Sequence, residues 1–515
     1  MTRKLVQVQL AQGRAVAGDK LVIGLVSDAA PDFARLGAEA ARAAQALVRT
    51  LRLRGEEERS AEVPLGARGR TLTVVGLGKR GDLSPEKAQA FVDKALDAAR
   101  SAHAASLGVV VPEHPAFFGA AAAERLARRL ALAAYRFDAY LPRSASRKSA
   151  PGLALATVAV PSAWRRAYES GLTLGSAVAE GVALARDLGN TPPNQASPEW
   201  MARQARGHAR RWGATVRVLG VPELKRRGMG GLLAVGSGSA NPPRLVRIDL
   251  GGRGVRGERG ARSLTIALVG KGITFDTGGI SIKPAAQMDE MKWDKMGACA
   301  VLGILEAVSR LKLPIRLRAY LALAENMPDG AAFRPGDIVR CANGKTVEIT
   351  NTDAEGRMVL ADALAWAASE TPDALIEYST LTGACVVALG QTGAGLFSPS
   401  DALATNLLDA AGAAGERLWR LPLWPEFLEE MRGSHSDLKN SAGRWGGASS
   451  AAAFLSQFVG AVADWAHLDI AGPAYVGGDG KKRGATGYGV ALTVNWLVAQ
   501  GSGARTVSRP RRRRR

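Results

Sequence analysis

Cysteine is scarce in this sequence. Only Cys299, Cys341 and Cys385 occur among the 515 residues, and no two of them form a CxxC pair. A disulfide framework or a thiolate zinc site needs more cysteines at closer spacing, so neither is expected. The shortage favours a reducing compartment.

Histidine is also scarce, and the motifs of two common hydrolase classes are missing. The five histidines stand singly along the chain, and none of them begins an HExxH sequence. No serine lies in a GxSxG sequence. The usual markers of zincins and serine hydrolases are therefore absent, and we do not expect catalysis to centre on imidazole.

Long apolar runs are missing as well. The N-terminus carries basic residues but no apolar stretch of signal-peptide length. No segment approaches the roughly 20 apolar residues that a membrane-spanning helix needs. The sequence therefore predicts a cytoplasmic protein without a membrane partner.

Acidic residues are outnumbered by basic ones. The 68 Lys and Arg against 47 Asp and Glu leave a formal charge of +21, and seven arginines lie in the terminal GARTVSRPRRRRR. Residues 504–515 are predicted to be a disordered Arg-rich tail, because little in them could pack on a core. The tail is either simply solvated or an arm that binds a polyanion such as nucleic acid.

The length and composition indicate a globular protein of two to four domains, at roughly 100–200 residues each. Strand-like runs such as TLTVVGLG and LTIALVG alternate with Ala-rich helical stretches, which is typical of α/β domains. We predict two α/β domains, the larger C-terminal one with a mixed central sheet flanked by helices. The predicted boundaries are 1–162 for the first domain, 163–190 for a linker helix that Pro192 and Pro193 must end, and 191–503 for the second domain.

Two segments of the second domain place charged residues where a strand ends or a helix begins. In LVGKGITFDTGGISIKP, a hydrophobic strand delivers Lys271 and Asp276 to a TGG turn, and Lys283 follows. In MDEMKWDKMGAC, Asp294 directly precedes an apolar helical run. In open α/β sheets the chemistry lies at the carboxyl ends of strands, so these positions are candidate site residues.

A third segment, EITNTDAEGRMV, has charged residues at alternate positions. Asp353, Glu355 and Arg357 would point to one side if this stretch is extended. Each segment alone could be a helix cap or a turn, but capping does not explain four carboxylates and two lysines together. Such a carboxylate-rich shell without histidine suits hard or borderline divalent cations, and two of them can lower the pKa of a shared water.

These motifs resemble those of the leucyl aminopeptidase (cytosol aminopeptidase) family of dinuclear metallo-aminopeptidases. The sequence NTDAEGRM at 351–358 matches the hallmark of that family. Supporting matches are KGITFDTGGISIKP, MDEMKWD, ENMPDGAAFRPGDIV, STLTGACVVALG, SDLKNSAGR and WAHLDIAG. They run from about 135 to about 500, whereas the N-terminal part matches only through VVGLGK and AYRFDAY.

The resemblance implies that 191–503 is a catalytic peptidase domain with a dimetal site, holding two divalent ions, Mn or Zn, per subunit. The implied ligands of the tightly bound ion are Lys271, Asp276, Asp294 and Glu355, and those of the exchangeable ion are Asp276, Asp353 and Glu355. A lysine amine binds a metal only when it is deprotonated, and a neighbouring dication would lower its pKa.

The resemblance also implies catalytic and substrate-binding residues. Lys283 is implied to donate to the scissile carbonyl oxygen, and Arg357 to hold a bicarbonate that acts as general base. The positions that match the lining of the family's first side-chain pocket are Met291, Thr380, Gly383 and Ala471. For Met291, packing in the core is the alternative.

The implied function is metal-dependent removal of N-terminal residues, Leu and other hydrophobic ones preferred, from peptide substrates by a metal-bridging hydroxide. The resemblance further implies a cytoplasmic homohexamer. An additional DNA-binding or regulatory role through the basic surface and tail is the alternative. One departure from the family pattern is Glu377, where Asp or Asn is usual, and it concerns the pocket floor rather than the metal ligands.

Overall fold

The computed structural model describes residues 5–142, 152–251, 264–478 and 483–501, apart from single gaps at 14, 30, 58 and 67–68. The arginine-rich tail predicted over 504–515 lies outside these residues. The chain divides into two compact units, Met1–Glu180 and Gly181–Arg515. Over the described residues, no helix combines the length and the apolar content that crossing a membrane requires.

The N-terminal unit contains one six-stranded sheet. Its strands are β1 (Gln7–Leu10), β2 (Lys20–Leu25), β3 (Ser60–Leu65), β4 (Arg70–Gly76), β5 (Ser106–Val110) and β6 (Leu155–Ala159). They lie in the order β1-β6-β5-β2-β4-β3, and all neighbours are parallel except β3 and β4. Sequence patterning did not identify β3, which contains Pro64 and lies at the sheet edge, where proline is tolerated.

Helices cover both faces of this sheet. They are α1 (Ala38–Thr50), α2 (Pro85–Ser101) and α3 (Gly119–Ala131). The core on one face joins α1 to apolar residues of β2, β3 and β4. The core on the other face joins α2 and α3 to β2, β5 and β6. The strands are apolar on both faces because each face is buried by a helical layer.

A long helix, α4 (Arg165–Asn190), follows the sheet of the N-terminal unit, and the division into units falls inside it. Its first half packs closely on α3 through glycine: a Cβ on Gly171 would lie 2.5 Å from the carbonyl oxygen of Ala120. The helix ends just before Pro192, which cannot continue it.

The C-terminal unit is built around an eight-stranded mixed sheet in the order β15-β14-β17-β13-β9-β10-β8-β7. These strands are β7 (Thr215–Leu219), β8 (Arg244–Leu250), β9 (Thr265–Asp276), β10 (Arg316–Asn326), β13 (Ala374–Ser379), β14 (Gly393–Phe397), β15 (Arg417–Arg420) and β17 (Trp465–Asp469). Short strands form a three-stranded sheet and a hairpin: β11 (Ile338–Arg340), β12 (Thr346–Glu348), β16 (Leu438–Lys439), β18 (Tyr475–Val476) and β19 (Gly484–Ala485).

The helices of this unit flank its large sheet. In chain order they are α5 (Pro198–Trp212), α6 (Val221–Arg226), α7 (Gly230–Val235), α8 (Met296–Leu311), α9 (Glu355–Ser369), α10 (Gly383–Leu389), α11 (Asp401–Ala414), α12 (Pro425–Glu429), α13 (Gly447–Ser456) and α14 (Val490–Gly501). The predicted fold class is confirmed: the protein is α/β, with a mixed central sheet flanked by helices in its larger part.

The central strand β9 lies between two helices. It pairs in parallel with β10 and β13, and α8 and α9 both pack against it. Glycine allows the close approach of α8, because a Cβ on Gly270 would lie 2.7 Å from the Cα of Ala298. Eleven of the twelve residues of β9 are buried, so the side chains at its carboxyl end are held in a rigid frame.

A buried carboxylate ties α8 to α5. Glu306 accepts hydrogen bonds from Trp212 Nε1 at 3.0 Å and from Arg310 Nε at 2.7 Å, and His208 Nδ1 lies 3.6 Å from its Oε2. Burial by itself would raise the pKa of Glu306, but its hydrogen bonds to His208, Arg310 and Trp212 outweigh burial and lower it to about 2. Glu306 is therefore an ionised anchor between the two helices.

Candidate metal centre

Asp276 is the last residue of β9 and begins the site. Its Oδ1 accepts hydrogen bonds from Asn326 Nδ2 and from the backbone N–H of Gly278, both at 2.9 Å. The TGG turn that follows needs glycine: φ is +87° at Gly278, where a Cβ would lie 2.5 Å from the carbonyl oxygen of Ser281. The turn and the neighbouring strand β10 therefore fix the orientation of this carboxylate.

Lys271, further back on β9, lies among carboxylates. Its Nζ is 2.8 Å from Asp294 Oδ1 and 2.9 Å from Glu355 Oε1, and it donates to the carbonyl oxygen of Thr380 at 3.0 Å. Burial by itself would lower the pKa of Lys271, but Asp294, Glu355 and Asp276 outweigh burial and raise it. The amine would lose its proton only if another positive charge replaced it in balancing these carboxylates.

Lys283 and Asp353 form the outer part of the site. The Nζ of Lys283 lies 2.8 Å from Asp276 Oδ2 and is also ion-paired with Asp353. The side chain of Asp353 is 33% exposed and that of Lys283 is 21% exposed, whereas Asp276 is buried. The cluster thus has a buried floor and a solvent-facing side.

Glu355 reaches the site from a helix rather than from an extended stretch. The extended geometry expected for residues 353–357 is wrong, because Glu355 is the first residue of α9 and Arg357 lies in its first turn. A carboxylate at this position is favoured by the partial positive charge of a helix N-terminus. Glu355 still meets Lys271, because α9 begins beside the carboxyl end of β9.

Arg357 is buried and held by a loop that follows β16. Its Nη1 donates to the carbonyl oxygen of Asn440 at 2.8 Å, while its Nε is buried without a hydrogen-bond partner among the described residues. Burial lowers the pKa of Arg357 to about 10, although Glu355 and Asp469 oppose the shift. The guanidinium therefore remains charged at neutral pH and has a donor to spare for an anion.

The four residues predicted to line a substrate pocket have different placements. Thr380 is part of the cluster, since its Oγ1 donates to Asp294 Oδ1 at 2.6 Å. Gly383 is the exposed first residue of α10, and Ala471 follows β17. Met291 is partly exposed in a short 3-10 turn, where its carbonyl oxygen accepts the backbone N–H of Asp294 at 3.2 Å.

Three supporting residues escaped the sequence analysis. Asn326 orients Asp276, as described above. Asn440 accepts the backbone N–H groups of Thr350 and Asn351 at 2.8 and 3.2 Å and so shapes the segment before Asp353. Asp469 accepts the backbone N–H groups of Leu381 and Ala471 at 3.1 and 3.2 Å, which ties the loops after β13 and β17 together. Each stands at or near a strand end and within one of the supporting family motifs, and these were the signals that could have found them.

Glu377 is paired with His467 on the neighbouring strand. It lies opposite His467 in the register of β13 and β17, both side chains are fully buried, and its Oε2 is paired with His467 Nδ1. Phe397 stacks on the imidazole, with ring centroids 5.4 Å apart. This pair accommodates the glutamate that departs from the family pattern.

The residues fit divalent cations. Asp276, Asp353 and Glu355 each offer an oxygen within 4.8 Å of the others. Burial and neighbouring carboxylates, Asp276 above all, raise the pKa values of Asp294 and Glu355. Asp294 Oδ2 is buried and has no hydrogen-bond partner in the part of the chain that the structure describes. Two lysines balance only half of the charge of four carboxylates, so the site calls for further positive charge, and oxygen donors suit hard cations.

Comparisons with known proteins identify the family of this chain. The model of the cytosol aminopeptidase family catalytic domain matches residues 183–494, and that of the family's N-terminal domain matches residues 22–144. The chain belongs to the cytosol aminopeptidase family. The resemblance recognised from the sequence motifs is therefore confirmed, and the protein is a hydrolase of the aminopeptidase class.

Relatives in this family cover most of the chain. A protein of Roseiflexus castenholzii described as a probable cytosol aminopeptidase is 44% identical over 435 residues, which are 83% of this chain and 87% of the relative. A protein of Dechloromonas aromatica with the same description is 43% identical over 430 residues, 83% of this chain and 84% of the relative.

Two solved structures of similar fold also cover nearly the whole chain. The bottromycin maturation enzyme BotP in complex with Mn is 35% identical, with a TM-score of 0.79 over 94% of this chain and all of that chain. A mutant of tomato leucine aminopeptidase is 31% identical, with a TM-score of 0.79 over 96% of each chain.

Proposed function

We propose that this aminopeptidase releases hydrophobic N-terminal residues, Leu foremost, from peptides, with two divalent cations bound in the cluster described above. The proposed ligands are Lys271, Asp276, Asp294, Asp353 and Glu355. The observation that carries the proposal is the convergence of four carboxylates, from three separated segments, around two lysines. When bound, two such cations supply an activated water and polarise the scissile carbonyl group.

The chain's own residues contribute charge and position. Lys283, on the open side of the cluster, is held as an ammonium because Asp276, Glu355 and Asp353 outweigh burial and raise its pKa. It can therefore donate to the carbonyl oxygen as negative charge develops there.

Arg357 is proposed to hold bicarbonate as the general base. Its charged guanidinium and its buried, unpartnered Nε suit a small oxyanion. The four carboxylates of the cluster are engaged with the lysines and the proposed metals, so none of them is left to accept the proton of the water. Thr380 follows β13, Gly383 begins α10 and Ala471 follows β17. These three residues are proposed to line the pocket for the first side chain, together with Met291 from its 3-10 turn.

Two substitutions test the ligand assignment. Asp353→Ala and Glu355→Ala should each abolish hydrolysis of a leucyl amide and lower the bound metal per subunit, with the thermal unfolding transition still cooperative. Glu429→Ala, at a side chain 69% exposed, is the matched control and should leave both measurements unchanged. Full activity in either site variant would refute the assignment.

The identity of the metal is a separate question. Carboxylate shells accept several divalent cations, so the choice between Mn and Zn depends on supply and geometry. Chelated protein should lose its leucyl-amide hydrolysis, and restoring Mn, Zn, Co and Mg one at a time should rank them. A chelated enzyme that retains its full rate would contradict the metal-dependent mechanism.

Assembly as a hexamer and a cytoplasmic location are further parts of the proposal, supported by family membership and by relatives named as cytosol aminopeptidases. Light scattering at six times the subunit mass would support the hexamer. The alternative role in nucleic-acid binding stays a prediction, since the tail that motivates it lies outside the described residues. A salt-dependent affinity for DNA, lost on removal of residues 504–515, would support that role.

A further inference from the structure

The N-terminal unit contains a cavity of about 340 Å³, distant in sequence from the metal cluster. It lies at the carboxyl ends of the parallel strands β2 and β5, and we call it the N-terminal cavity. Its wall includes Leu25 at the end of β2, Val110 at the end of β5, and Pro112 just beyond. A volume of this size is within the range of small-molecule sites.

The position of the cavity in the sheet is one where α/β proteins bind ligands. From β2 the chain passes through α1 to β3 and β4, which lie between β2 and one edge of the sheet. From the adjacent strand β5 the chain passes through α3 to β6, which lies towards the opposite edge of the sheet. The two connections diverge, so β2 and β5 flank a topological switch point, and their carboxyl ends leave a crevice between them.

The loops around the cavity are held in place by hydrogen bonds. Arg35 Nη1 donates to the carbonyl oxygen of Val111 at 2.8 Å, which links the loop after β2 to the end of β5. The backbone N–H of Arg80 donates to Asp28 Oδ1 at 2.7 Å, which links the loops after β4 and β2. The cavity is therefore preformed, and ordering its loops would cost a bound ligand little free energy.

The charges that line the cavity are balanced. Arg35 and Asp32 are ion-paired with each other, with Arg35 Nη2 3.1 Å from Asp32 Oδ2. Arg80 is positive and Glu113 is negative, and neither forms an ion pair with a described side chain. His114 also lines it, but burial lowers its pKa, so the imidazole is neutral at pH 7. A phosphate-bearing ligand would require a positive excess, which these side chains do not supply. A balanced set beside an apolar wall instead matches a ligand with one positive group, one negative group and an apolar body.

We propose that the N-terminal cavity binds a free amino acid with a hydrophobic side chain. Its carboxylate would meet Arg80, which forms no ion pair among the described side chains. Its ammonium group would meet Glu113, and its side chain would contact Leu25 and Val110. The choice of hydrophobic amino acids rests on the proposed function, because they are the products that the metal centre would release.

Calorimetric titration of the full-length, Mn-loaded enzyme tests this inference. L-leucine should bind at two kinds of site, and Arg80→Ala and Glu113→Gln should each weaken one of them by about tenfold or more. Isocaproate, which lacks the amine, and isoamylamine, which lacks the carboxylate, should not fill that site at concentrations where leucine does. Arg100→Ala, at a side chain 69% exposed on α2, is the matched control and should bind leucine as the unmodified chain does.

Three outcomes would overturn the inference. Leucine binding that is identical with and without Arg80 would do so, as would an Arg80-dependent site that isocaproate fills equally well. Tighter binding of inorganic phosphate or AMP than of leucine would make it an anion site instead. Leucyl-amide hydrolysis is measured on the same preparations: an active enzyme without this site refutes only the inference, whereas an inactive wild-type enzyme refutes the proposed function.

Discussion

Replacing Gly356 with alanine should separate the activity of this enzyme from its stability. Gly356 lies in the first turn of α9, and a Cβ built there would be 2.5 Å from Lys271 Cε and 2.8 Å from its Nζ. Carbon atoms in contact normally lie about 3.5–4.0 Å apart. The end of the lysine must therefore move by about 1 Å, which displaces the Nζ that now contacts Asp294 and Glu355.

The expected loss of activity follows from that displacement. The lysine is the flexible partner in the clash, so its side chain moves while the backbone of β9 stays in place. A displacement of about 1 Å in a positioned group can cost roughly 100-fold in rate. The helix itself should gain up to about 1 kcal/mol, because alanine is the better helix former. We therefore expect kcat/KM for a leucyl amide to fall by about 100-fold, with Tm unchanged or higher.

A second glycine provides the control. Gly412 lies inside α11, and a Cβ built there would have no neighbour within 4 Å. Gly412→Ala should raise Tm slightly and leave kcat/KM unchanged. If Gly356→Ala retained activity within about twofold, the position of Lys271 would not matter for catalysis. If Gly356→Ala unfolded the protein, the clash would displace the backbone around the site rather than the side chain of Lys271 alone.

Three further outcomes are expected from side chains around the site and the core. Asn326→Leu removes a donor to Asp276 and should weaken metal binding by about 10–100-fold, measured by titrating activity with metal; unchanged affinity would contradict a supporting role. Glu377→Ala leaves His467 buried without its partner and should cost about 3–5 kcal/mol, seen as a lower Tm, while an unaltered Tm would mean that the pair adds nothing. The pKa of Glu306 is lowered from its ordinary 4.5 to about 2. Ionised Glu306 therefore contributes about 3 kcal/mol at most to the free energy of unfolding. This contribution is present above pH 4.5 and is lost as pH falls towards 2. Glu306→Gln should flatten that part of the curve of unfolding free energy against pH, and a curve as steep as the parent's would refute the pKa assignment.

Much of the fold could be predicted from sequence patterning, but the weaker elements could not. The apolar runs of β9 and β10 are long and bounded by glycine or by charge, so they indicate buried strands. The two-residue strands β16, β18 and β19 have no periodicity of their own and depend on a neighbour for pairing. The edge strand β3 was missed because Pro64 argues against a strand, and only its place at the sheet edge makes that proline acceptable.

The candidate site, like the fold, was predictable from the sequence only in part. The residue types in the three motifs, and the family that they mark, were determined by the sequence alone, because carboxylates and lysines at strand ends and helix starts already restrict the chemistry. The partners of each side chain were decided by tertiary structure: Lys271 meets Asp294, in the turn before α8, and Glu355, at the start of α9. The supporting amide of Asn326 and the burial of Glu377 against His467 depend likewise on which strands are neighbours and in which register. Those contacts join residues far apart in the chain, and no local pattern encodes them.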